Sequence, residues 1–234
     1  MTLAIARLYW KRVWRGKMVW ISALLLLVPL GLSLVSPRRS DAADRFSFVF
    51  EMTVRSLVLL VPVLHLAPAI GEEADGKTYT YLWSRPVSRA AVLWGKLLVV
   101  LPLAAVAAGL VLVVAFAIIG ADPAWLVRAE LGAAAGVVGA SAFALGVGAL
   151  FPRHPLVVTL AWVCFAEQIL PAVKAVQNLS IVYQAATIAD MPRPMLRAGD
   201  DPTSAAVAIA VLSAIWLSVA VWRVRSMEFG TAEG

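Results

Sequence analysis

Cysteine occurs once in this chain, at Cys164, and histidine only twice, at His65 and His154. A single cysteine excludes an intrachain disulfide and any cysteine-built metal cluster. The spacing of Met52, His65, His154 and Cys164 matches no ligand motif, so no metal centre is expected. Nowhere do serine, histidine and aspartate, or a pair of acids, fall at a spacing usable for catalysis, and no catalytic residue is expected. Charged residues make up 15% of the 234 positions, without a soluble domain on either side and without a long-period repeat. The basic residues form no continuous tract with stacking aromatics, which sets nucleic acid aside as a partner.

What fills the chain instead is apolar surface. Hydrophobic residues account for 62% of the sequence and the mean hydropathy is +0.86, far more than one water-soluble core can hide. The solvent must be largely lipid. Nine tryptophans, with recurrent glycine and proline, suit membrane helices, where aromatics anchor at interfaces and small residues let backbones approach. The expected fold is all-α: a polytopic membrane protein with six transmembrane helices at approximately 18–35, 46–70, 91–119, 125–150, 156–170 and 204–222. After Pro171 the pattern weakens into short apolar pieces, and the proline-rich stretch 190–202 reads as an exterior loop. We expect one membrane domain over 1–234, with an interfacial segment at 1–17, a cytoplasmic loop at 71–90 and an exterior segment at 171–203.

The net charge of +6 reads as topology. Arg7, Lys11, Arg12, Arg15, Lys17, Lys77, Arg85, Arg89, Lys96, Arg153, Arg223 and Arg225 all fall on one face of a six-span arrangement. By the positive-inside rule that face is cytoplasmic, and both termini lie on it. At the N-terminus Arg7, Lys11 and Arg15 recur every four residues while Trp10, Val13 and Trp14 occupy another face, the pattern of an amphipathic helix lying in the interface. A secretory signal peptide would have a shorter apolar region and a small-residue cleavage site.

Between the second and third spans runs GEEADGKTYTYLWSRPVSRAAVLWGK, Gly71 to Lys96. Gly71, Gly76, Lys77 and Thr78 satisfy the phosphate-loop pattern G-x-x-x-x-G-K-[ST]. Its context is missing. Glu72, Glu73 and Asp75 would repel a triphosphate, and the residues before the loop complete a membrane span instead of a strand in a parallel sheet. No nucleotide is expected to bind this chain.

This loop resembles that of transmembrane subunits of ABC-type exporters of the second export family. The residues that carry the likeness are Glu72 and Glu73, Gly76 to Thr78, Tyr81 to Trp83, Pro86 to Arg89, and Gly95 with Lys96. Lys77 between Gly76 and Thr78, and Trp83 in an otherwise leucine-rich stretch, depart from the pattern. The resemblance implies a permease in the bacterial cytoplasmic membrane, paired with a second permease copy or paralogue and with separate cytoplasmic ABC ATPase subunits. Those partners would hold the ATP and magnesium; this chain would carry no cofactor. The loop would be the coupling helix that seats the ATPase. Glu72, Glu73 and Asp75 offer charge to a basic groove, and Tyr79, Tyr81 and Trp83 offer rigid anchors. Arg85 and Arg89 offer forks for carboxylates, with Lys77 and Thr78 between. The bland counterpart is a loop that solvates these residues and rests them on headgroups.

Charges inside spans cost on the order of 3 kcal/mol at a helix centre. Glu51 and Arg55, four apart, are expected either to form a structural ion pair near the outer interface or to line a transport route. Arg128 and Glu130 read as interfacial. Glu167 and Gln168, near the outer end of the fifth span, are route candidates because the second and fifth helices line the pathway in the family resembled. Two other readings compete. One is a secondary transporter driven by an ion gradient through Glu51, Glu130 and Glu167; the other is an ATP-coupled complex that transmits force without moving solute. No motif specifies a cargo.

Overall fold

The computed structural model describes residues 2–35, 41–69, 89–191 and 201–226, and no strand occurs among them. Six helices are long and apolar enough to cross a membrane: Lys17–Val35, Ala42–Leu66, Ala90–Ile119, Pro123–Leu150, Pro155–Ala172 and Pro202–Ser226. In chain order they are the first to sixth spans. Hydropathy alone misses polar helix starts. The second span begins at Ala42, before the apolar run, because Asp41 Oδ1 accepts from the Ala42 amide at 2.7 Å. Asp122 closes the start of the fourth span in the same manner, its Oδ1 accepting from Ala124 N at 2.7 Å. The fifth span runs on past the apolar stretch to Ala172, ending in a tight turn that contains Pro171.

The fourth span is the axis of the bundle, packing on the sixth, the third, the second and a short helix, Ile181–Ala189. Its glycines explain the close approach. A Cβ at Gly132 would run into the carbonyl of Ala185, one at Gly148 into the carbonyl of Ala67, and one at Gly146 would sit 2.5 Å from the Trp216 ring. The small-residue stripe is therefore a packing surface. Phe143, on the same face as Gly139 and Gly146, lies between Trp162 and Trp216 with ring centroids 5.5 and 5.2 Å away. The first span stands at the periphery, with Trp20, Leu24 and Leu27 exposed.

The N-terminal helix Thr2–Arg15 packs chiefly on the third span. Its inward face differs from the expected grouping. Val13 is buried, but Trp10 and Trp14 are exposed and stack edge to face at 5.6 Å, while Tyr9 packs on the core and Ile5 lies against Gly95. Positions 5, 9 and 13 form one stripe on a 3.6-residue helix.

Consecutive spans alternate in direction, which sorts the described charges. Arg7, Lys11, Arg12, Arg15, Lys17, Lys96, Arg153, Arg223 and Arg225 gather at one end of the bundle. The described carboxylates Asp41, Asp44, Asp122, Asp190 and Asp201 lie at the other end, and Glu51, Glu130 and Glu167 lie within spans.

Candidate functional site

The second and fifth spans are each interrupted by one wider turn. At Val54–Val58 and at Trp162–Ala166 the helix opens into a π turn; in the first, Leu59 N reaches back five residues to Val54 O at 3.0 Å. Such turns insert a residue, rotate the helix beyond them, and recur at functional sites. Arg55 sits in the first and Gln168 just beyond the second.

Three of the four intramembrane residues singled out by sequence meet there. Arg55 donates from Nε and Nη2 to Glu51 Oε1 at 3.0 and 2.8 Å, and from Nη1 to Gln168 Oε1. Gln168 Nε2 in turn donates to Val163 O, five residues back, at 3.4 Å. The side chains of Arg55 and Glu51 keep 22% and 12% of their exposure, so the pair is sheltered but not sealed. A guanidinium with donors fanned in one plane can bridge two acceptors on different helices, which a lysine ammonium does less rigidly.

Glu167 turns the other way. It is fully buried, and its oxygens accept from Ser180 Oγ at 2.7 Å, Ile181 N at 3.1 Å and Val182 N at 3.2 Å. It closes the start of helix Ile181–Ala189, where amide donors have no partner within the helix. Consecutive residues in the fifth span thus serve different neighbours. Nearer the start of the fourth span, Arg128 Nη1 pairs with Asp190 Oδ2 at 2.9 Å in an exposed contact, and the Glu130 carboxylate fills the space left by Gly109 on the third span.

The docking residues proposed from sequence, Glu72, Glu73, Asp75, Lys77, Thr78, Tyr79, Tyr81, Trp83 and Arg85, lie outside the described residues. Arg89 is placed only as the first residue of helix Arg89–Ile119. What the structure describes is the frame on either side. Lys96, buried in the third span, donates from Nζ to Ala69 O at the end of the second and stands 5.6 Å from the Tyr9 ring centroid. Tyr9 OH donates to His65 O at 2.6 Å. Ser22 Oγ, on the first span, donates to Met18 O at 3.0 Å and lies 3.0 Å from His65 Nε2. The flanks of segment 70–88 are thereby tied to each other, to the N-terminal helix and to the first span.

Tyr9, like Ser22, is a member of this junction that sequence reasoning missed. The signal was present, because Ile5, Tyr9 and Val13 share a stripe, but the two tryptophans outweighed it. By sequence Lys96 reads as one more surface charge; its burial follows from Gly95, where a Cβ would come within 2.8 Å of Ile5 and which therefore lets the N-terminal helix close over the lysine.

A family model described as ABC-2 family transporter protein matches residues 10–185, more than half of the chain, taking in both π turns, segment 70–88 and the junction except Tyr9. No curated protein matches the chain.

Proposed function

This chain belongs to the ABC-2 family of transporter proteins, and we propose that it is the permease subunit of an ATP-driven exporter, coupling hydrolysis by separate cytoplasmic ATPase subunits to outward movement of a substrate. Segment 71–90 is the seat for the ATPase, facing the cytoplasm together with both termini, and a second permease copy or paralogue completes the pathway. The whole chain acts as a single membrane domain.

The observation that supports this reading is the anchoring of both flanks of segment 70–88. A nucleotide-driven movement of a soluble partner can reach membrane helices only through a stiff joint. Lys96 holds the end of the second span, Tyr9 holds His65, and Ser22 meets His65 from the first span. Displacement of the segment would therefore move four elements together. The Glu51, Arg55 and Gln168 cluster, bridging the second and fifth spans, is the polar lining of the route; Glu167 shapes that route by holding helix Ile181–Ala189 in place.

The test is purification of the protein from native membranes followed by reconstitution. A soluble ATPase should accompany the chain, and export into vesicles should require it and ATP. Transport by the chain alone, driven by an ion gradient, would exclude the proposal.

A further inference from the structure

At the elbow between the N-terminal helix and the first span lies a cavity of about 300 Å³, reaching down to the end of the second span. Its walls are Val13, Met18, Leu64 and Pro68, and the charged side chains that line it are Arg12 and Lys17, both exposed. The Tyr9 hydroxyl and the His65 imidazole, also lining it, are already engaged with His65 O and with Ser22. Gly16, at the bend, adds no side chain to the opening.

We propose that this cavity binds the headgroup of an anionic phospholipid. Three observations converge on that occupant. The cavity sits at the bend between the N-terminal helix and the first span, at the start of that span, where a bilayer would place its phosphates. Its chemistry is divided as a phospholipid is divided, with two cations for the phosphate and apolar walls for the glycerol and the first methylenes. Arg7, Lys11 and Arg15 on the same N-terminal helix add further positive charge beside it, which strengthens the attraction for an anion. A zwitterionic headgroup brings its own ammonium to the same cations and is disfavoured. The lipid wedges the elbow open at a set angle and braces the helix that carries Tyr9. This site depends on the placement of the helices in a bilayer, not on any ATPase partner.

The experiment is native mass spectrometry of the purified full chain titrated with phosphatidylglycerol, with phosphatidylcholine as the comparison. One phosphatidylglycerol should stay bound through activation that strips phosphatidylcholine. The pair R12Q/K17Q should weaken its retention roughly tenfold or more, since each basic group near an anionic lipid contributes substantially. The pair K11Q/R15Q, which removes the same amount of charge from the N-terminal helix outside the cavity, should change it less than about twofold. R12K/K17R, which keeps the charge, should retain the lipid. Equal weakening by both neutralising pairs would show diffuse surface attraction and overturn the site, as would loss in R12K/K17R or retention in R12Q/K17Q. Displacement of the lipid by equimolar glycerol 1-phosphate would assign the cavity to a free phosphate and overturn the lipid.

Discussion

Glu167 and Ser180 lock the fifth span to the short helix beyond it: Oε2 of the carboxylate accepts from the serine hydroxyl at 2.7 Å, and Ser180 Oγ in turn accepts from Tyr183 N at 3.1 Å. With the amides of Ile181 and Val182 on the same carboxylate, three donors that hydrocarbon could not satisfy are met by one side chain. Replacing Glu167 with alanine should destabilise the protein by about 2–4 kcal/mol, because the donors stay buried without a partner. Glu167→Gln, keeping one acceptor oxygen, should cost less. Thermal unfolding in detergent measures both, and equal stability of wild type and the alanine variant would show that the cap contributes nothing.

The Arg55 cluster should separate stability from transport. Arg55→Met leaves Glu51 sheltered without its cation and should cost about 2 kcal/mol, less than a fully buried pair because both side chains keep some exposure. The double variant E51Q/R55M should recover most of that loss. If the cluster lines the route, the double variant should nevertheless export poorly; normal export would reduce Glu51 and Arg55 to a brace between helices.

Glycine substitutions along the bundle should sort by what their Cβ meets. Gly148→Ala drives a methyl into the Ala67 carbonyl, a backbone group that cannot step aside, and should cost about 1–3 kcal/mol. Gly31→Ala, with nothing within 4 Å, should be neutral or slightly stabilising, since alanine favours the helix. The two variants are compared by unfolding midpoint in the same detergent. A midpoint for Gly148→Ala at or above that of Gly31→Ala would contradict the packing.

Charge reversal in the proposed ATPase seat, E72K with E73K, should leave the fold and membrane insertion intact while export falls at least tenfold. Such a loss corresponds to about 1.4 kcal/mol of coupling. Export at the wild-type rate would remove these two residues from the contact.

The start of the sixth span should respond to acid in one direction. Hydrogen bonds from the Thr203 hydroxyl, the Thr203 amide and the Ser204 amide hold the Asp201 carboxyl below its ordinary value of 3.8. A depressed folded value means that the stabilisation is fully present above the unfolded pKa and is lost as pH falls through the folded one. Amide protection at Thr203 and Ser204 should thus be flat from neutrality to about pH 4 and fall below it. Asp201→Ala should show the reduced protection at every pH.

Much of the architecture was legible in the residues, for a definable reason. Hydrocarbon demands long apolar helices, so runs such as Leu24 to Leu27 or Val111 to Val114 announce their spans without reference to anything distant. Errors fell where local polarity masked a helix. Asp41, Asp44 and Arg45 look like a loop and form the first turns of the second span, because an aspartate cap and a solvent-facing turn tolerate charge. Of the intramembrane site, the identities of Glu51, Arg55, Glu167 and Gln168 could be named from their cost in lipid, but not their division into a shared cluster and a separate helix cap.

The chain's own order of residues determined six helices long and apolar enough to cross a membrane, a strand-free backbone among the described residues and a basic end, since hydropathy and charge accumulate along the sequence and need no partner. Tertiary structure alone decided that Arg55 reaches Gln168, that Lys96 reaches Ala69 beneath Tyr9, and that Glu167 serves Ser180. Those pairings depend on how each helix is rotated about its axis. Two π turns shift that rotation by a residue, and packing against the glycine face of the fourth span sets how closely the neighbouring helices approach.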